Sequence, residues 1–187
     1  TAKGDVEFDV TTSTEMNITS TVAAEVTVDE PATNVATITA DANTTLVMSA
    51  GDATTDTITG AAGLKINADA GGAAVDLSDV AASVALTFSD DMNGDDVTVA
   101  NGAVATLEAD IAQTDIEFIA GATHSMTVNL SSNITALEFD TMSAATVNVT
   151  DEATIGTLNG GDGDLTVNVS ADVTITTLTQ TNDMTIT

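Results

Sequence analysis

Over most of this chain, apolar and polar residues alternate in short runs. Leu165-Thr-Val-Asn-Val169 is apolar at every second position, and Ala145-Thr-Val-Asn-Val149 and Met184-Thr-Ile-Thr187 repeat the pattern. A period of two marks a strand with one buried face. Between these segments lie Ile155-Gly-Thr-Leu158 and Ile175-Thr-Thr-Leu178. Two kinds of strand therefore alternate, each returning after about 20 residues, the sequence mark of a stacked repeat.

The repeat extends back to the first strand. One apolar ladder runs Phe8, Val28, Met48, Ile66, Leu86, Leu107, Val128, Val147, Val167 and Ile186, in steps of 18 to 21 residues. A second runs Ile18, Ile38, Ile58, Leu77, Val99, Phe118, Leu137, Leu158 and Leu178, in steps of 19 to 22. Turn formers separate the strands: Ala50-Gly-Asp52, Asp69-Ala-Gly-Gly72, Asn93-Gly-Asp-Asp96, Asn101-Gly102 and Asn159-Gly-Gly-Asp-Gly163. Gly, Asn and Asp tolerate the positive φ of such corners.

A short strand cannot bury a core alone, but it can stack in register on its own copy one coil away. The expectation is an all-β fold, a parallel β-solenoid (β-helix) of one domain over residues 1–187. It has about 20 residues and two main strands per coil, and roughly nine coils. At ~4.8 Å per coil the rod is about 45 Å long. The bias of parallel crossovers makes the coil right-handed. An antiparallel sandwich also suits frequent turns, but coil-to-coil identity favours the solenoid. Gly71 to Ala85 is the least regular stretch, and Ala73 to Ala82 suits one helical turn. Pro31 falls between ladder anchors, where its missing N–H harms no strand.

Composition sharpens this picture. Thr and Val, both strand formers, are abundant, while Phe numbers 4 and Tyr and Trp are absent. Lys and Arg total 2 against 29 Asp and Glu, a net charge of −27. Such a surface repels nucleic acid and anionic membranes and attracts cations. Without cysteine there is neither a disulfide framework nor a thiolate metal site. The sequence has no apolar run of membrane-spanning length and no signal-peptide pattern at its start. Thr1 in place of Met is read as a processed chain or a fragment.

Catalytic chemistry lacks its usual groups. The one histidine, His124, sits beside a corner, and Lys3 and Lys65 are the whole cationic complement. No enzyme is expected and no catalytic residue is assigned. Calcium suits the acidic corners better, because hard cations take oxygen ligands from flexible loops. Asp90, Asp91, Asn93, Asp95 and Asp96 are the first candidate ligand set. Asp162 and Asp164 are the second, and Gly160-Gly-Asp-Gly-Asp-Leu165 resembles the Gly-Gly-x-Gly-x-Asp turn of calcium-binding RTX β-rolls, shortened by one residue. Asn-x-Ser/Thr sequons begin at Asn17, Asn43, Asn129, Asn133, Asn148 and Asn168. They are acceptors only where the glycosylation machinery is present.

Over its whole length, the chain resembles the repetitive, acidic, Cys-free regions of bacterial surface-layer proteins and large adhesins. The resemblance implies an extracellular, cell-surface structural role: a lattice or filament subunit whose partners are copies of itself. The alternative is a binding module or adhesin stalk directed at a glycan, a host surface or ice. Outward Thr127, Thr146, Thr166 and Thr185, beside Asn129, Asn148 and Asn168, form the regular array an ice face needs, but earlier coils lack it. Repeat rods need covered ends. The assembly residues expected are Val6, Phe8 and Val10 at one end, and Met184 and Ile186 at the other.

Overall fold

Strands of this length with one apolar face gain a core only by stacking, and the computed structural model shows that stack. It describes residues 6–9, 14–29, 37–54, 56–68, 71, 73–109 and 113–187. The first half contains β1 (Val6–Asp9), β2 (Glu15–Ile18), β3 (Ala24–Asp29), β4 (Thr37–Ala40), β5 (Thr44–Met48), α1 (Ala50–Ala53), β6 (Thr57–Thr59), β7 (Gly63–Ile66), β8 (Val75–Leu77) and β9 (Ala85–Phe88). The second contains β10 (Asp95–Val99), β11 (Ala103–Leu107), β12 (Gln113–Ile119), β13 (Ser125–Leu130), β14 (Ile134–Asp140), β15 (Ala144–Val149), β16 (Ala153–Asn159), β17 (Asp164–Val169), β18 (Val173–Thr179) and β19 (Met184–Ile186).

All odd-numbered strands form one ten-stranded parallel sheet, with β1 and β19 as its outer strands. The even strands form two further parallel sheets, β2-β4-β6 and β8-β10-β12-β14-β16-β18. The chain is therefore a parallel β-solenoid, with about eight turns of roughly 20 residues, close to the nine read from the anchors.

Inward side chains form one continuous apolar cluster from Ile18 to Val167. Phe88, Phe118 and Phe139 are the largest of its fully buried side chains. Phe88 meets Phe118 edge-on at 5.8 Å between ring centres, and Phe118 stacks on Phe139 at 6.2 Å. Such ring pairs add roughly 1 kcal/mol each beyond the area they bury.

The ladders are real, but parts of them change column. Ile66 pairs with Phe88 and Leu64 with Leu86, whereas the sequence ladder joined Ile66 to Leu86. Leu107 pairs with Leu130, not Val128, and Val128 with Ala105. On the second face Phe118 pairs with Phe139 and Val97, while Leu137 pairs with Ile116. Ile18 pairs with Ala40, and Ile38 with Met16. Ile58 bridges to Val80, and Leu77 belongs to the neighbouring sheet. Every slip is even or lies at the sheet break. A shift of two residues keeps a side chain on the same face, so apolar pattern alone cannot choose between adjacent inward columns.

Two local expectations are corrected. The stretch from Ala73 to Ala82 forms β8, a turn and the Val80 bridge rather than a helical turn. The helical turn is α1, in Ala50-Gly-Asp52, which the sequence reading took as a corner. Ser49 caps it by accepting from Asp52 N at 3.1 Å, and Ala50 and Ala53 bury fully beside β8. Pro31, most of the Asp69–Gly72 corner and Val10 lie outside the described residues.

The later even strands bend. Gln113 and Ile116 are both buried although three residues apart, and so are Ile134 and Leu137, and Ile155 and Leu158. These residues stack in register from turn to turn. The alternation therefore breaks at the same place in each strand, folding the chain around the core.

Candidate functional site

Among the described residues, the polar and exposed apolar groups gather on the corners, the flanks and the end turn. The first acidic corner is tied to the next turn by side chains. Asp91 accepts from Thr114 N at 2.7 Å and Thr114 Oγ1 at 2.5 Å, and also from Asn93 N. Asp90 Oδ1 accepts from Asp91 N. Beneath them Gln113, 1% exposed, accepts from Met92 N at 2.9 Å and donates to Asp90 O at 2.7 Å. This buried clamp escaped sequence reading because an isolated Gln carries no periodic signal. Asp96 is exposed on β10, and the side chain of Asp95 lies outside the described set.

The second acidic corner is built the same way. Gln180, Thr181 and Asn182 donate in turn to the carbonyls of Gly163, Gly161 and Asp162. The carboxylates of Asp162 and Asp164 remain exposed. Its glycines serve close backbone approach: a Cβ on Gly161 would drive into Phe139 O, and one on Gly163 into Met142 O. Among the described residues, no three His, Asp or Glu side chains are grouped to hold a metal ion.

A third acidic feature was not foreseen. Asp96, Glu117 and Glu138 stack in register on the outer face of β10, β12 and β14. Burial pushes the Glu117 carboxyl above its ordinary range, and Asp96, Asp140, Glu138 and Asp115 push the same way. Asp115 is raised too, first by burial, then by Glu138 and Asp96. The signal was present: Glu117 precedes Phe118 and Glu138 precedes Phe139, so once the phenylalanines stack, the glutamates must. Asp41 shows the opposite effect. Ser20 N donates to it at 2.7 Å and holds its carboxyl below the usual range, overcoming the smaller effect of burial; Thr44 and Asn43 assist.

The flank of the ten-stranded sheet carries an amide ladder. Thr127, Thr146, Thr166 and Thr185 stack in register, as the sequence implied. Beside them Asn168 donates Nδ2 to Asn148 Oδ1 at 2.8 Å, and Asn148 donates to Asn129 at 2.9 Å. Asn129 reaches Thr106, and Thr187 donates to Asn168. Continued backwards through Thr87, Lys65, Val47 and Thr27, the column loses its regularity. Lys65 there pairs with Glu108 at 3.1 Å. His124 is a corner residue whose Nδ1 accepts from Gly121 N at 3.2 Å.

The end turn is the largest apolar exposure described. Leu178, Met184 and Ile186 are 39, 40 and 53% exposed. Their partners one turn earlier, Leu158, Leu165 and Val167, are at most 1% exposed. At the other end β1 is likewise an outer strand; the side chains of Val6 and Phe8 lie outside the described set. Comparison with family models, with curated proteins and with solved structures found no match to this chain.

Proposed function

We propose that this chain is a non-catalytic structural element of the cell exterior, a solenoid rod that assembles by stacking one end turn on another copy. The parallel stack carries the reading: each turn offers its strand edges and its apolar column to another turn of the same pattern. One turn earlier the equivalent residues Leu158, Leu165 and Val167 are covered by such a turn and are at most 1% exposed. A second copy supplies such a turn through its outer strand β1, with all strands kept parallel. This contact joins unlike ends, does not close, and so builds filaments. An acidic rod resists such contacts by self-repulsion, so divalent cations favour assembly.

The test is sedimentation velocity over a concentration series, with and without calcium. The wild-type chain is expected to form a ladder of oligomers. A Leu178→Lys, Ile186→Lys variant should keep its melting transition and sediment as a monomer. A wild-type chain that stays monomeric at high concentration with calcium would overturn the reading. The regular flank of Thr127, Asn129, Thr146, Asn148, Thr166 and Asn168 supports a second reading, a surface-displayed binding module for a glycan, a host surface or ice.

A further inference from the structure

We infer that Asn133 is an asparagine this fold presents for N-linked glycosylation, and that Asn129, Asn148 and Asn168, the sequons inside the stacked strands, are withheld from it. All four begin Asn-x-Ser/Thr sequons, so sequence alone treats them alike. The structure separates them.

Asn133 lies in the turn between β13 and β14 and is exposed. Its Oδ1 accepts from Thr154 N at 2.7 Å, which fixes the amide. Among the described residues its Nδ2 has no hydrogen-bond partner. Thr135, which completes the sequon, is exposed two residues on. Both side chains open onto one shallow groove of about 500 Å³, lined also by Thr114, Thr154 and Gly156. Hydroxyl groups and free space therefore surround the reactive nitrogen.

The other three differ in each respect. They sit inside β13, β15 and β17, strands hydrogen-bonded on both sides. Their side chains are half-buried, and each Nδ2 is already donated along the ladder. Rows in a sheet lie ~4.8 Å apart, so a sugar on one amide would lie across its neighbour. A chain glycosylated there during synthesis cannot complete the ladder and is depleted from folded material.

The donor is a lipid-diphosphate-linked oligosaccharide, transferred by an oligosaccharyltransferase. Asn133 Nδ2 forms a bond to the anomeric carbon, the bond from that carbon to the diphosphate oxygen breaks, and the lipid diphosphate leaves with the electron pair. The amide gives up one proton, and no oxidant or reductant takes part. A glycan at Asn133 stands on the flank and leaves the end turn free. The inference does not rest on end-to-end assembly, and its test reads a different quantity.

The chain is secreted from cells that contain the transferase, and the folded fraction is treated with an amidase that converts each glycosylated Asn to Asp in ¹⁸O water. Peptide mass spectrometry then scores each sequon. Asn133 is expected to be occupied, and Asn129, Asn148 and Asn168 bare. Thr135→Ala should abolish the Asn133 label while leaving that asparagine in place. A bare Asn133 in the wild-type secreted protein, or a glycan on any ladder asparagine in folded material, would overturn the inference. Should Thr135→Ala fail to fold, the wild-type site map decides alone.

Discussion

Asn168 and Asn148, 20 residues apart in sequence, are joined side chain to side chain at 2.8 Å, and the same bond recurs one turn earlier between Asn148 and Asn129. Each amide is at once donor and acceptor, so the column is a chain of bonds along the rod axis. Removing a central member strands two half-buried partners. Asn148→Ala is expected to cost about 1–2 kcal/mol in chemical unfolding. Thr174→Ala, on an exposed position of β18, should stay within about 0.5 kcal/mol. Equal losses would mean that the ladder carries no stability.

Val147 and its neighbour Thr146 test the orientation of β15. Val147 is fully buried between Val128 and Val167, in a chain with only two Lys and Arg residues. Val147→Asp places an unpaired charge in the core and is expected to cost 4 kcal/mol or more, or to prevent folding. Thr146 faces outward between Thr127 and Thr166. Thr146→Asp should be far milder, as read by thermal unfolding.

The solenoid was legible because its period and its alternation are both written in apolar residues. Stretches of near-identity, such as Val128, Val147, Val167 and Ile186, were placed in the right column. Where adjacent inward residues are equally apolar, as at Leu64 and Ile66, or Leu86 and Phe88, pattern fixed the face and not the column. The break between the two smaller sheets was invisible, since Ile58, Leu77 and Val80 all suit either role. The carboxylate column depended on the placing of Phe118 and Phe139 and was lost with it.

Gly161 and Gly102 share a positive φ, +65° and +80°, yet differ in surroundings. An alanine Cβ at Gly102 meets nothing within 4 Å, so Gly102→Ala costs only the strain of the left-handed region, about 1 kcal/mol. At Gly161 the Cβ also collides with Phe139 O of the preceding turn. Gly161→Ala is expected to cost at least twice as much in denaturant unfolding. Similar losses would show that the turns are not held so closely at this corner.

Divalent cations should stabilise the fold. Asp96, Glu117 and Glu138 stack in register in a chain of net charge −27. One divalent ion between neighbouring carboxylates relieves repulsion that monovalent salt only screens. Millimolar calcium is expected to raise the melting temperature more than sodium chloride at equal ionic strength. Identical responses to the two salts would reduce the effect to screening.

The same column sets a pH dependence whose sign follows from its environment. Burial and then neighbouring carboxylates raise the Glu117 and Asp115 carboxyls above their unfolded values. In the window between the unfolded and the raised values, the folded state binds more protons, so stability falls as pH rises. Above the window both groups are charged and the full penalty applies; below it neither contributes. Asp41 works in the opposite direction, because its carboxyl is lowered and its contribution is lost on acidification below the usual range. The groups facing Glu117 are Asp96, Asp140, Glu138 and Asp115, all acidic, so no partner reverses the sign. Glu117→Gln removes one charge from the middle of the column. Its melting temperature at about pH 7 should exceed that of the wild type, with the advantage shrinking as pH falls into the carboxylate range. Asp115→Asn should behave likewise. General relief of the net negative charge acts on both proteins alike, so the difference between variant and wild type isolates the column. A difference that stays constant across the titration would show that Glu117 and its neighbours do not interact through charge.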